Sequence, residues 1–495
     1  MSTPKRIHIL QQLINRLIAL RFSIDKRGLA MGRILIWCIL IVQLLTDMGD
    51  LRALFTDAGI LPTYLLSSLY PSENLRSVHS LSGAYRWQSL LMGIQLLLAI
   101  ALVVWYHTRV VTIGTRALLI SLYAKNPIIL NGGDFVLKMI LFWAMFLPWW
   151  ERWSLDAYTP TSASKNYVGP WSIALLFQLL AIYIFSALLK EHPARVSEYS
   201  ATFSALSLDI FTNPFGQRFR EHYTWTQRMT QYVFLFERRW RILFFIPWKH
   251  HRRRTIGVIV FAGFHLGLIS MMKIGLFPWI CIAAWIMFLP TAVRDARERW
   301  HPVKWLHQKL AHLPSTWSRQ PHLGVWWRLF VFLCLAYVIC WNIRTLDFDR
   351  HSKWFPYEIN KFGMLLRLDQ YRNMFAPYPL LDDGWFVVKG VTFAGEEINA
   401  RNPGQPLPRE KPKNLYLTFP NDRRRKYLTN IWMRDNAQHR TYYANYLCNA
   451  YNAKREIPDT LQSIQLIFML ESTRAFGLPL AIEQVDLGTF PCPVK

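Results

Sequence analysis

Residues Gln178 to Lys190 read QLLAIYIFSALLK. They close an apolar run that begins near Trp171, long enough to cross most of a bilayer as a helix. Between Gln178 and Lys190 the polar side chains are Gln178, Tyr183 and Ser186, and the run ends on a broken polar segment, EHPARVSEYS. Polar groups inside a membrane are costly, so they face protein or a water-filled cavity. Lys190 has two readings on these grounds. It is a lysine snorkelling to the interface, or a reactive amine at the mouth of an intramembrane site.

The rest of the chain agrees with a membrane setting. Of 495 residues, 52% are hydrophobic and 15% aromatic, with 22 Trp, and mean hydropathy is +0.12. That composition is more apolar than an aqueous domain needs and reads as a polytopic membrane protein with an aqueous part attached. The net charge is +26, from 57 basic and 31 acidic groups. The bases cluster between apolar runs, where anionic lipid and topology account for them. No nucleic-acid motif accompanies them, so the bilayer is the expected partner and nucleic acid is not. Six cysteines are too few and too scattered for a zinc site or a disulfide scaffold, and no metal is expected. The first 28 residues carry six bases and no small-residue cleavage site, so no cleavable signal peptide is expected.

In chain order, residues 5–22 place Leu10, Leu13, Ile14 and Leu17 on one helical face, as either a surface-lying amphipathic helix or an ordinary docked one. Nine spans follow, at about Leu29–Thr46, Leu90–Tyr106, Val110–Tyr123, Phe135–Trp149, Trp171–Leu189, Thr226–Trp248, Ile256–Met272, Pro278–Pro290 and Val325–Trp341. The third contains Arg116, and the sixth contains Glu237, Arg238, Arg239 and Arg241, which must pair or face water. Glu237 beside those arginines reads as an internal ion pair. Lys249 to Arg254 has four Lys/Arg, and Thr291 to Arg328 has seven against two acids, whereas Asp47 to Trp87 and Glu191 to Trp225 each have three bases and four acids. The positive-inside rule then puts the N-terminus in the cytoplasm, and Lys190 and the tail outside it.

After about Asn342 the pattern changes. Trp385–Val391 and Thr392–Ile398 read as a hairpin around Ala394-Gly395, Asp422–Trp432 and Ala437–Asn452 as helices, and Leu461–Leu470 and Leu480–Leu487 as strands. The expected fold is mainly α, a polytopic transmembrane helical bundle followed by a small α+β extracytoplasmic domain. Its parts are a cytoplasmic amphipathic segment (1–28), the transmembrane domain (29–341) and the tail domain (342–495). Cys448 and Cys492 are the cysteines outside apolar spans. They form either a disulfide in an oxidising compartment or two free thiols.

Five motifs stand in one order. They are Lys125-Asn126-Pro127 with Asn131-Gly132-Gly133-Asp134; Trp153-Ser154-Leu155-Asp156; Gln178 to Lys190; Ser207-Leu208-Asp209 with Asn213-Pro214-Phe215-Gly216; and Phe264-His265 with Ile274-Gly275-Leu276-Phe277. Over about residues 20–300 this resembles the horizontally transferred transmembrane (HTTM) family, whose animal members are vitamin K-dependent gamma-carboxylases. The tail, with RLDQYRNMFAPYP and DDGWFVVKG, looks like the extracytoplasmic domain that follows the module in bacterial members. The resemblance implies a bacterial inner membrane and a reduced, vitamin K-like quinone. Oxygen and carbon dioxide would be co-substrates, and a peptide or protein substrate would bind on the extracytoplasmic side. It puts the catalytic lysine on Lys190 and supporting positions on Asn126, Asp134, Trp153, Asp156, Gln178, Tyr183 and His265. His265 reads equally as a hydrogen-bonded packing residue, and Asp134 and Asp156 as helix caps.

Two positions depart from the carboxylase pattern. Pro127 follows Asn126 where those enzymes have histidine, and Arg195 and Ser197-Glu198 stand where the family shows Trp and Gly. The quinone half of the reaction is therefore implied more directly than carboxylation. A non-catalytic maturation, immunity or scaffold protein is the alternative. A transporter is the weakest reading, since no inverted repeat is visible.

Overall fold

The computed structural model describes residues 3–74, 77–104, 108–153, 165–244, 246, 249–291, 293, 295, 324–346, 357–370, 376, 379–453, 455–478 and 481–493. The helices used below are α1 (Thr3–Phe22), α2 (Lys26–Gly49), α3 (Tyr85–Val104), α4 (Thr108–Lys125), α5 (Gly132–Ala144), α6 (Pro170–Leu189), α7 (Tyr223–Arg239), α8 (His250–Met271), α9 (Phe277–Ile286), α10 (Val325–Arg344), α11 (Tyr357–Leu366), α12 (Asp422–Trp432) and α13 (His439–Asn452). The strands are β1 (Asp382–Thr392), β2 (Glu397–Asn399), β3 (Leu461–Ser472) and β4 (Ala481–Pro491).

Helix α6 is central. It packs on α5, α7 and α10, and among the helices able to span it buries the largest share of its length. Gly169 precedes it, Pro170 opens it, and Lys190 caps its C-terminus. Among the described residues, five helices are long and apolar enough to cross a membrane, namely α2, most of α3, α6, α8 and α10. The nine-span expectation is not met on those terms, for identifiable reasons. A span needs about 20 apolar residues. Helix α5 has 13 residues and α9 has 10, roughly 15 Å of helix. Helix α4 carries Arg116, and α7 carries three ions in its last turn before passing into a short 3₁₀ turn, Trp240–Phe244.

The bundle has two distinct ends. At one, Ile24–Asp25 pair with Asn166–Tyr167, Arg254 donates to the Ser23 carbonyl at 2.6 Å, and Asp295 bridges Arg27. The N-terminal segment, the basic start of α8 and the residues after α9 therefore meet there. The tail packs on the opposite end. Its antiparallel sheet runs β2–β1–β3–β4, with α13 against β3 and β4 and Trp432 of α12 stacked on Phe468 at 4.2 Å. The β1–β2 hairpin, α12 and both long C-terminal strands stand close to where the sequence puts them.

A disulfide joins Cys448 of α13 to Cys492 beyond β4, 44 residues apart with Cα atoms 5.5 Å apart. In the chain-entropy model a loop of that length contributes about 4 kcal/mol.

Asp383 and Glu471 face each other across β1 and β3, and both are buried. Like charges directly opposite repel. The Lys411 ammonium answers this by reaching Asp209 at 2.6 Å and Glu471 at 2.5 Å, and Arg220 adds a bond to Asp209 at 3.0 Å. The Asp209 amide donates to Asp383. The motif residue Asp209 thus fastens the sheet to the bundle. Burial first, and then the Asp209 and Glu471 charges, push the Asp383 carboxyl up to about 7.

Two measurements follow. Cys492→Ser should lower stability by up to about 4 kcal/mol and abolish the mobility difference between reduced and non-reduced protein; an unchanged thermal midpoint would refute a stabilising bridge. The folded Asp383 value lies above the ordinary 3.8, so the fold holds a proton that the unfolded chain has released. Its contribution is fullest below about 4 and declines as pH rises towards 7. Asp383→Asn should flatten that part of the thermal-midpoint profile between pH 5 and 8, and a slope as steep as in the parent protein would count against it.

Candidate functional site

Helical geometry divides the polar residues of α6 between two faces. At 100° per residue, Tyr183 and Lys190 lie nearly in line, roughly 10 Å apart along the axis, and Gln178 points elsewhere. The structure uses the faces separately. Gln178 donates to Gln370 at 2.9 Å. Tyr183 and Lys190 turn toward α7, α8 and α9.

Trp285 Nε1 donates to the Tyr183 hydroxyl at 2.8 Å, and the same hydroxyl is hydrogen-bonded to His265 Nε2, 2.6 Å away. Rings enclose the trio: Phe261 lies 4.4 Å from Tyr183 and 4.6 Å from Trp285, and Phe277 lies 5.5 Å from His265. The pattern is that of a packed aromatic core in which His265 Nδ1 is buried without a hydrogen-bond partner among the described residues.

Further along the same face, Lys190 Nζ donates to Glu237 Oε1 at 2.8 Å. Lys190 is 9% exposed and Glu237 5%. Glu237 had been read against its neighbouring arginines. Its partner across the fold is Lys190, while Arg238 turns outward to Glu191 at 3.0 Å. A lysine free to snorkel would be exposed; this one is enclosed with a carboxylate. An ammonium and a carboxylate in hydrogen-bond contact can exchange a proton, which suits the pair to acid–base work.

The other sequence candidates lie apart from it. Asn126 donates to the Leu54 carbonyl at 2.7 Å. Asn131 and Asp134 form the capping box of α5, with Gly133 N donating to Asn131 at 2.9 Å and Asn131 N to Asp134 at 2.7 Å. Asp134 also accepts Arg423 of α12 at 2.6 Å, and Arg423 reaches Asp47 at 3.1 Å. Burial alone would lower the Arg423 guanidinium; Asp134 and Asp47 outweigh it and hold the value well above the ordinary one. Asn131 donates to Asp422 at 2.8 Å. Gly275 comes so close to Asp422, at φ +70°, that a Cβ would strike that carboxylate. The motifs around Asn131 and Gly275 are therefore the seat of α12. Trp153 lies at the opposite end of the bundle, where its carbonyl accepts Arg33 at 2.5 Å. Asp156 lies outside the described residues.

Glu237 as the partner of Lys190, Arg423 and the Asp209–Asp383–Glu471–Lys411 cluster were not identifiable as site features beforehand. The single hint in the sequence was the charge of α7 inside an apolar context. In the cluster, Lys411 supplies a cation to the carboxylates from within the chain.

No curated protein and no solved structure matches the chain. A family model described as the HTTM domain matches residues 23–292, which takes in the bundle from α2 through α9 with the Lys190–Glu237 pair and the seat of α12. That match covers more than half of the chain, and the protein belongs to the HTTM domain family.

Proposed function

We propose that this integral membrane protein is a carboxylase-like enzyme that acts on a reduced quinone at the membrane face where α6 ends. The observation that carries the reading is the buried Lys190–Glu237 pair, 2.8 Å apart. The donor set suits the substrate in kind: an amine and a carboxylate to handle a hydroxyl proton, and the rings of Phe236, Tyr183 and Phe261 beside them to face a planar head. Bound there, a reduced quinone would supply the electrons for reaction with oxygen. Lys190 passes its proton to Glu237 and, neutral, takes a proton from the bound hydroxyl. Glu237 holds the amine in place between those events. Pro127 offers no imidazole where the carboxylases have one, so carbon dioxide capture is the part of the resemblance with least support. The tail domain is the proposed holder of a peptide or protein substrate.

We further place the protein in a bacterial inner membrane, its N-terminus cytoplasmic and its tail periplasmic. The basic segments that meet at one end of the bundle support this orientation. Nine crossings remain part of this proposal, beyond the five helices that are long and apolar enough by themselves. The short or charged α4, α5, α7 and α9 then cross under cover of their neighbours.

A non-catalytic scaffold is the second reading. Its support is that Asp134, a motif acid, is engaged by Arg423 of the tail instead of standing open.

Two experiments test these proposals. Cysteine labelling in intact cells should fail to reach residues 249–254 from outside; labelling there would overturn the orientation. Purified protein given a reduced naphthoquinone and oxygen should form the epoxide. Lys190→Arg keeps the ion pair but stays protonated, and should lower the rate on the order of 10²–10⁴-fold, as expected for loss of a general base. Full activity in that variant would reduce Lys190 to an anchor, and absence of both epoxide and labelled carbon dioxide uptake in the parent protein would favour the scaffold.

A further inference from the structure

The reading above rests on α6 and α7. A separate feature lies among α4, α5, α10 and α11, and that reading makes no use of it. A cavity of about 230 Å³ opens there. One water needs only about 10–15 Å³, so the space is sized for an organic group. Phe135 and Trp341 give it apolar walls, and Glu73, Lys138, Arg367 and Asp369 give it ionised ones.

The ionised groups pair among themselves. Lys138 Nζ donates to Asp369 Oδ2 at 2.8 Å, and Arg367 donates to Glu73 at 3.0 Å. The pairing leaves two polar atoms over. Asp369 Oδ1 and Arg367 Nε are both buried and have no hydrogen-bond partner among the described residues. Asp369 as a whole is 8% exposed. Orphaned atoms of buried charged groups are strongly disfavoured unless something meets them. Arg367 also sits at φ +54°, a left-handed conformation that a residue with a side chain keeps only where its surroundings impose it. An orphan acceptor and an orphan donor, of opposite charge and two residues apart, thus belong to two residues that line one cavity beside an apolar wall.

A ligand that satisfies both must carry a cationic donor and an anionic acceptor a few bonds apart, on an apolar body. A head with one charge, or a cation without a hydrogen to donate, meets only one of the two atoms. We propose that this cavity binds an aminoalkyl phosphate head group carried on acyl chains, that is, a phospholipid with a primary ammonium. The ammonium donates to Asp369 Oδ1, the phosphate accepts from Arg367 Nε, and the start of the chains lies along Phe135 and Trp341. The site is independent of Lys190, so it stands or falls apart from the proposed activity.

The test is native mass spectrometry of the delipidated full chain, reloaded with equal amounts of phosphatidylethanolamine, phosphatidylcholine and phosphatidylglycerol. Phosphatidylethanolamine should be retained at least about tenfold over the other two, the scale of one charge-assisted hydrogen bond. Asp369→Asn and Arg367→Gln should each erase that preference. Ile120→Trp, which fills the cavity wall without touching an ion pair, should reduce retention of the lipid and serves where the charge variants fold poorly. Equal retention of the three lipids by the parent protein would overturn the proposal, as would no retention at all, which would leave the cavity to water. A preference that survives Asp369→Asn in folded protein would also overturn it. Soluble phosphoethanolamine distinguishes the source: displacement of the lipid at equal concentration supports the same chemistry with a free ligand, and failure to displace supports the lipid.

Discussion

The arrangement depends most on one buried guanidinium. Arg423 projects from the first turn of α12 and lies between Asp134, at the start of α5, and Asp47, near the end of α2. Each of the three side chains is almost wholly enclosed. Two carboxylates brought this close could not both stay ionised without a cation between them, and a guanidinium could not be buried here without anions. Removing one member of such a set typically costs about 3–5 kcal/mol, because it strands the others. The interaction is therefore stronger as a constraint on geometry than as a source of net stability. It fixes the tail on the bundle at one register, and neighbouring contacts follow, with Arg424 on Asp50 and Asn430 on the Ile128 carbonyl.

Helix α6 shows the same logic in an apolar setting. Gln178, Tyr183 and Lys190 along it each have a named partner, from Gln370 at Gln178 to Glu237 at Lys190. In a medium that offers no water, a polar side chain is kept only where the fold supplies its partner. The partners come from different parts of the chain, so the helix works as a hub.

Much of this was legible in the sequence, and the physical reason is locality. Helix α6 announces itself as an unbroken apolar run between Pro170 and Lys190. The hairpin of β1 and β2 and the bounds of α12 follow from alternation and turn residues. The order of the motifs led to the family. What was not legible depended on pairing at a distance. Glu237 lies 47 residues from Lys190, and nothing in its neighbourhood distinguishes Lys190 from Arg238 as its partner. Asp134 read correctly as a cap, yet its second duty toward Arg423, 289 residues away, leaves no local trace. Of the nine spans read from the sequence, five of the described helices are long and apolar enough by themselves, because a short or charged run carries no local sign of what covers it.

The segment Arg367–Gln370 has a consequence for how the protein is made. Asp369 answers Lys138 inside the bundle, and Gln370 answers Gln178 near the middle of α6. Both partners are synthesised long before the ribosome reaches residue 367. During that interval the nascent bundle holds an ammonium and an amide awaiting their counterparts in a medium that solvates neither. Biogenesis must tolerate a waiting period, with these groups kept hydrated or shielded by the insertion machinery, and the helices can reach their final packing only after the chain has emerged well past the last span.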